Sequence, residues 1–258
     1  MTMHGDIQHA LVTGAGGGIG AAIVAALVAA DIKVSLMGRR RESLDKVLDD
    51  IDRPQTSQAV TCDVACRDSV DSAISSVTKN FGPINLLVNC AGMAKTKPFH
   101  RMTNADWNDS IDVNLNGVFN CTSAVINSMR DQRFGRIVNI ASTSALKGYA
   151  YVSAYCASKH AVLGLTRALA LETATKGITV NAICPGYTDT SIITDSVKVI
   201  TEKTGRTTEQ ALQEFTKTNP QQRLITPVEV ANTVLWLCDE HSQSITGQAI
   251  SLSGGEVM

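Results

Sequence analysis

Short apolar runs rich in Val, Ile and Leu alternate along this chain with longer stretches whose apolar positions recur every three to four residues. The short runs fall at 10–13, 33–37, 58–62, 84–89, 136–140, 178–183 and 248–252. The longer, helical patterns begin near Gly18, Glu42, Asp68, Asp106, Ser153 and Pro227. Strict alternation of this kind predicts parallel strands joined by crossover helices, an α/β doubly wound sheet with helices on both faces. No Pro/Gly/Ser-rich linker divides the chain, so a single domain over 1–258 is expected. One region breaks the rhythm. From 188 to 226 the sequence is polar, Thr-rich and weakly helical, with no strand. An insertion that long inside a compact domain is usually a lid or binding loop. It follows the carboxyl end of the sixth strand, where open α/β sheets bind ligands.

Composition narrows the class. Of 258 residues 44% are hydrophobic, enough for one large core, and the formal net charge is −1. The longest basic run is Arg39-Arg40-Arg41, too short for a nucleic-acid arm. No basic segment followed by an apolar core opens the chain, and no apolar run is long enough to span a bilayer. The seven cysteines are scattered and include no Cys-x-x-Cys pair, which argues against a disulfide framework or a zinc site. The five histidines show no ligand spacing, so no metal is expected. A soluble protein of a reducing, cytoplasmic compartment is the expectation.

Two motifs carry candidate chemistry. The first strand runs into Thr13-Gly14-Ala15-Gly16-Gly17-Gly18-Ile19-Gly20 and then into an Ala-rich helix. The glycines stand as G-x-x-x-G-x-G at Gly14, Gly18 and Gly20, not as G-x-G-x-x-G. They allow a tight turn and close approach of a pyrophosphate to backbone amides, with the helix dipole favouring its charge. A tight turn and nothing more is the other reading. Further on, three of the chain's four tyrosines crowd into Gly148-Tyr149-Ala150-Tyr151-Val152-Ser153-Ala154-Tyr155. Only Tyr155 has a lysine four residues on, at Lys159. On a helix the two share a face, and an ammonium beside a phenol favours the phenolate and lowers a pKa that is normally about 10. That makes a usable proton donor or acceptor near neutral pH. An ordinary aromatic with a nearby lysine is the alternative.

Together these motifs resemble the short-chain dehydrogenase/reductase family, and the likeness runs from about Gln8 to Gly255. The resemblance implies a Rossmann-like fold and hydride transfer between a nicotinamide and a carbonyl/alcohol pair. It implies that Tyr155 is the acid/base residue, that Lys159 tunes it and holds the nicotinamide ribose, and that Ser142, thirteen residues earlier, orients the carbonyl oxygen. Asn114 matches the family's water-holding asparagine. Gly14, Gly17, Gly18, Ile19 and Gly20 match the cofactor turn. Asp63, followed by Val64, sits where a family aspartate contacts adenine. Asn89, Ala91 and Gly92 match the Asn-Asn-Ala-Gly motif after strand four, with Cys90 replacing the second Asn. Pro185, Gly186, Thr188 and Thr190 belong to the stretch that touches the nicotinamide. Ser144, Tyr149 and Tyr187 are expected on the substrate side with Ser142 and Tyr155. Tyr151, in the same loop as Tyr149, is expected to pack or to line that site.

The cofactor choice rests on strand two. The acidic residue that reads an NAD ribose belongs at its end, about 20 residues past the glycine turn. Gly38 stands there, followed by Arg39, whose guanidinium can pair with a 2′-phosphate. NADP(H) is therefore expected over NAD(H). Phe99, Met102, Trp107, the 174–181 stretch and Ser253-Gly254-Gly255 are similar to bacterial 3-ketoacyl and acetoacetyl-CoA reductases. Aromatic polyketide ketoreductases share Ser158-Lys159-His160. A CoA- or carrier-protein-linked acyl thioester is thus the expected substrate, with an aromatic polyketide, sugar or steroid ketone as the alternative. Lys198, Lys203, Arg206, Lys217 and Arg223 either meet the phosphates of a CoA arm or form a solvated face balanced by Glu202, Glu209 and Glu214. A homotetramer through the helices at about 106–130 and 153–175 is expected from the resemblance. A non-enzymatic NADP(H) sensor is the rival class, and such proteins often lose the tyrosine or lysine that this chain keeps. A sugar-nucleotide epimerase or dehydratase would need more substrate domain than 258 residues leave room for.

Overall fold

A computed structural model describes residues 7–51 and 53–258. The amino-terminal segment on which the signal-sequence expectation rests lies partly outside these residues. Seven strands form one parallel sheet: β1 (His9–Thr13), β2 (Lys33–Gly38), β3 (Ser57–Thr61), β4 (Leu86–Asn89), β5 (Gly135–Ile140), β6 (Ile178–Pro185) and β7 (Ala249–Leu252). Their order is β3-β2-β1-β4-β5-β6-β7, so the direction in which strands are added reverses between β1 and β4. This is the doubly wound, Rossmann-like arrangement expected. Helices α1 (Gly18–Ala29), α2 (Arg41–Asp49), α3 (Arg67–Phe81), α4 (Asn104–Ile111), α5 (Gly117–Gln132), α6 (Ser153–Thr173), α7 (Ser191–Thr204), α8 (Thr208–Thr216) and α9 (Pro227–Cys238) complete the chain.

The apolar runs work because strand residues alternate between faces. Val12, Leu36, Leu86 and Val138 pack under Ile23 and Leu27 of α1 and Val230 and Val234 of α9. Their strand neighbours Leu11, Met37, Leu87 and Ile137 face Val70 and Val77 of α3 and Val125 and Met129 of α5. Helix starts follow from local chemistry. Thr226 accepts a hydrogen bond from the Glu229 amide, the Glu229 carboxylate accepts one from the Thr226 amide, and Pro227 occupies the first turn.

Three expectations need correction. The 188–226 segment, expected to be weakly helical and without a strand, is more regularly helical than that. It holds α7 and α8, which share a small core of Ile193, Val197 and Ala211, and Thr188 bridges Ile225 at its base. The fourth strand begins at Leu86 rather than 84; before it, the Asn85 backbone bonds His9 and Arg136 and its side chain accepts from the Gln8 and His9 amides. The helix read as one piece from about 106 is α4 and α5 joined by a wide π turn, Asp112–Asn116.

Below β1, at the sheet's amino end, His9 is buried. Its Nδ1 is 2.8 Å from the Gly82 carbonyl and its Nε2 is 2.7 Å from Ser35 Oγ, which also accepts from Gln58 Nε2. Nδ1 therefore carries the ring proton and Nε2 accepts. Burial pushes the His9 pKa below its ordinary value of 6.5. A folded pKa below the unfolded one means the unfolded chain binds the proton more readily. The stabilisation is complete above pH about 6.5 and is lost as pH falls from there through the lower folded value. In urea titrations, wild type should lose more stability between pH 7.5 and 5 than His9→Asn, which cannot take up that proton. Parallel pH profiles for the two proteins would contradict this.

Candidate active site

The carboxyl ends of β1, β4, β5 and β6 open onto one edge of the sheet, and the expected residues gather there. At β1 the glycine turn closes on β4. The Thr13 hydroxyl accepts from the Cys90 and Ala91 amides, both at 3.0 Å. A methyl group on Gly14, whose φ is +67°, would lie 2.8 Å from the Ala91 backbone. One on Gly20 would lie 2.2 Å from the Gly14 carbonyl oxygen. Only glycine fits at either place. Gly17 caps α1 with no side-chain hydrogen bond, and no acidic residue occupies the first turn. A methyl group on Gly17 would meet nothing, whereas one on Gly18 would touch the Thr190 methyl at 3.1 Å. The glycine turn and the stretch after β6 are thus in contact. Ile19 is half-buried behind them.

The tyrosine and lysine lie on the first turns of α6. Lys159 is 4% exposed, and its Nζ donates to the Ile140 carbonyl at 2.8 Å, on the last residue of β5. Burial lowers its pKa to about 8. Its Nζ stands 5.7 Å from the centre of the Tyr155 ring. Burial pushes the Tyr155 phenol up to about 12, against a hydrogen bond with the Ser142 side chain that lowers it. Desolvation of the phenol thus outweighs the hydrogen bond with Ser142, and the depression expected from Lys159 is not among the causes acting on it. Ser142 Oγ also accepts from the Ser144 amide at 3.1 Å. Ser144 itself is buried.

Asn114 is fully buried in the π turn. Its Oδ1 accepts from the Met93 amide at 2.8 Å, and its Nδ2 donates to the Met93 carbonyl at 2.9 Å. A methyl group on Gly92 would come within 3.1 Å of Asn114 Oδ1 and 3.7 Å of Lys159 Nζ, so the two polar ends converge over this glycine. Asn89 is turned inward, donating to Asn139 Oδ1 at 2.9 Å and Thr122 Oγ1 at 3.2 Å, and it braces the strands rather than facing the edge. Val64 is buried, and its carbonyl accepts from Asn120 Nδ2. Asp63 is exposed beside it, accepting from the Ala65 amide. Pro185 ends β6, the Gly186 amide donates to Leu252, and the Thr188 hydroxyl is used on the Gly186 carbonyl. Arg39 is exposed just past β2. Of the cations in the 188–226 segment, Arg206 and Lys217 both pair with Glu214, and Arg223 pairs with Glu229. Two carboxylates thus engage all three of these cations in ion pairs.

This geometry can be set beside known proteins. A family model described as short chain dehydrogenase matches residues 8–201. The chain belongs to the short-chain dehydrogenase/reductase family. An acetoacetyl-CoA reductase of Shinella zoogloeoides is 43% identical, over 96% of this chain and 97% of that protein. A putative ketoacyl reductase of Streptomyces coelicolor is 35% identical, with 97% of each chain covered. The crystal structure of a variant actinorhodin polyketide ketoreductase with NADPH superposes with a TM-score of 0.92 at 35% identity, covering 97% of both chains. As a short-chain dehydrogenase/reductase the chain is an oxidoreductase that uses a nicotinamide dinucleotide. The residues present fit that group. The α1 amino terminus offers uncapped amides beside the open face of Gly17, and a lysine ammonium is buried where the three loops meet.

Sequence reasoning missed several contributors to this short-chain dehydrogenase/reductase site. The Thr13 hydroxyl could have been found, since it opens the glycine motif. Met93 offers only backbone atoms. If the Gly14–Ala91 contact holds the turn, Gly14→Ala should cost about 1–3 kcal/mol of folding stability, the scale of a strained left-handed residue. It should weaken dinucleotide binding as well. Denaturant titration and cofactor fluorescence read the two effects, and a variant matching wild type in both would refute the contact's role.

Proposed function

We propose that this enzyme reduces the 3-keto group of an acyl thioester, linked to CoA or a carrier protein, to the 3-hydroxy form, with NADP(H) preferred over NAD(H). The observation that carries the reading is the convergence of Ser142, Tyr155 and Lys159 at the mouth of β5, in a chain similar to an acetoacetyl-CoA reductase along nearly its whole length. The bound nicotinamide supplies the hydride. The chain's residues manage the oxygen and one proton. Ser142 hydrogen-bonds the carbonyl oxygen and aims it, a preorganised electrostatic stabilisation. Tyr155 donates the proton to that oxygen as negative charge develops. Lys159, a buried cation one turn along α6, stabilises the phenolate left behind and holds the ribose hydroxyls. Asn114, from the π turn, holds a water through which the proton is replaced. The segment 188–226 acts as the lid, and the assembly is a homotetramer through α5 and α6. An aromatic polyketide ketone is the second reading, favoured by the linked rings of Tyr149, Tyr187 and Phe215 beside the site.

A substrate panel followed by cofactor absorbance tests the assignment, comparing acetoacetyl-CoA, longer and aromatic 3-ketoacyl thioesters, and simple ketones. Acetoacetyl-CoA should give the highest kcat/KM, and preference for a simple ketone would overturn the thioester reading. Tyr155→Phe removes only a hydroxyl and should lower kcat at least about a hundredfold with the fold intact. A folded variant with near-normal turnover would end the mechanism.

Arg39, with no acidic neighbour at Gly38, reads the 2′-phosphate. Arg39→Ala should weaken NADP(H) binding by about 1.5–3 kcal/mol, the scale of a charge-assisted hydrogen bond, and affect NAD(H) far less. Equal weakening of both cofactors by isothermal titration would show that Arg39 does not read the phosphate.

A further inference from the structure

Beyond the residues assigned above, one buried carboxylate sits against the substrate side of the site. Glu256, in the turn that follows β7, has a side chain only 3% exposed. Its Oε1 accepts from the Tyr149 hydroxyl at 2.8 Å and from Lys147 Nζ at 2.9 Å. A third hydrogen bond comes from Thr218, two residues past α8. Its other oxygen packs over Gly186, 3.5 Å from where a side chain would begin. Burial alone would raise the Glu256 pKa, but the bonds from Lys147, Tyr149 and Thr218 hold it below the usual carboxylate value. The carboxylate is therefore ionised and can only accept. The single phenolic proton of Tyr149 goes to it, leaving the Tyr149 oxygen to meet the Thr143 hydroxyl, also 2.8 Å away. Thr143 is the residue after Ser142.

The aromatic rings extend the same junction. Tyr149 meets Tyr187 edge-on at 6.4 Å, and Tyr187 meets Phe215 of α8 edge-on at 5.2 Å. One carboxylate thus touches three separate pieces: the loop after β5 through Tyr149 and Lys147, the loop after β6 at Gly186, and the chain leaving α8 at Thr218. A buried ion pair is a poor source of stability, because desolvation offsets the attraction, but it can hold one geometry against others.

We propose that Glu256 is a positioning residue for the reduction. It fixes Tyr149, and with it the Thr143–Tyr149 wall beside Ser142, and it fastens the α7–α8 lid to that wall. The inference rests on the reading that residues 142–149 and Tyr187 face the substrate. Glu256 touches neither the proton donor nor the glycine turn and meets the stretch after β6 only over the Gly186 backbone, so its loss acts on ketone binding rather than on proton transfer.

The test uses the full chain and the best ketone of the panel described above. Glu256→Ala should raise the ketone KM about tenfold, the scale of one lost charge-assisted hydrogen bond, with kcat and the NADP(H) dissociation constant within about threefold of wild type. Glu256→Gln, which keeps an acceptor for Tyr149, should recover part of the loss. Tyr149→Phe should raise KM similarly, and Glu256→Ala combined with Tyr149→Phe should be no worse than the poorer single variant. A second readout needs no substrate. Trypsin should cut the α7–α8 segment, at Lys198 or Lys203, several times faster in Glu256→Ala than in wild type. An unchanged KM, singles whose effects multiply, a fall confined to kcat, or an unchanged cleavage rate would each overturn the proposal. Failure of the thioester reading would appear in wild type itself, whereas failure of this inference appears only in the variants.

Discussion

Every strand of the sheet runs the same way, and this constraint governs the rest. Parallel strands need crossover helices, and those helices cover both faces of the sheet with apolar side chains. Polar chemistry is then confined to the sheet's two edges. At the amino edge His9, Ser35 and Gln58 form one hydrogen-bonded chain. At the carboxyl edge the loops after β1, β4, β5 and β6 meet, and there glycines replace side chains so that backbones can approach to contact distance. The Thr13 hydroxyl and the Gly14–Ala91 contact make the first two loops one rigid unit.

Two buried charges at this edge divide the labour. Lys159 is held by a single carbonyl, and burial brings its pKa down to about 8, close to working pH. A cation so weakly compensated exerts its field on whatever lies beside it, which suits a group that stabilises a transient phenolate. Glu256 is the opposite case. Three donors saturate it and hold its charge, which suits a group that fixes geometry and stays out of the chemistry.

The sheet was legible in the sequence because strands buried on both faces must be apolar at consecutive positions, and the runs around Leu11, Leu87 and Ile137 have no other use. The tyrosine–lysine pair was legible because helical spacing brings residues four apart together. What stayed hidden depends on contacts between distant segments. Glu256 reaches Tyr149 across 107 positions, and nothing local to it signals the contact. The π turn shifts Asn114 without altering the helical pattern on either side. In 188–226 the apolar spacing Ile193, Val197 and Ile200 was present, but threonines diluted it, and the helices are held by packing on each other. Spacing conveys proximity but not burial, and it is burial that raises the Tyr155 phenol.

The central claim is that the carboxyl-edge cluster reduces the 3-carbonyl of an acyl thioester. A single-turnover experiment with NADPH deuterated at the transferable position and acetoacetyl-CoA, analysed by mass spectrometry, tests it most directly. The account requires a 3-hydroxyacyl-CoA product carrying one deuterium on carbon 3. Recovery of unreduced acetoacetyl-CoA, or of product without the label, would contradict it.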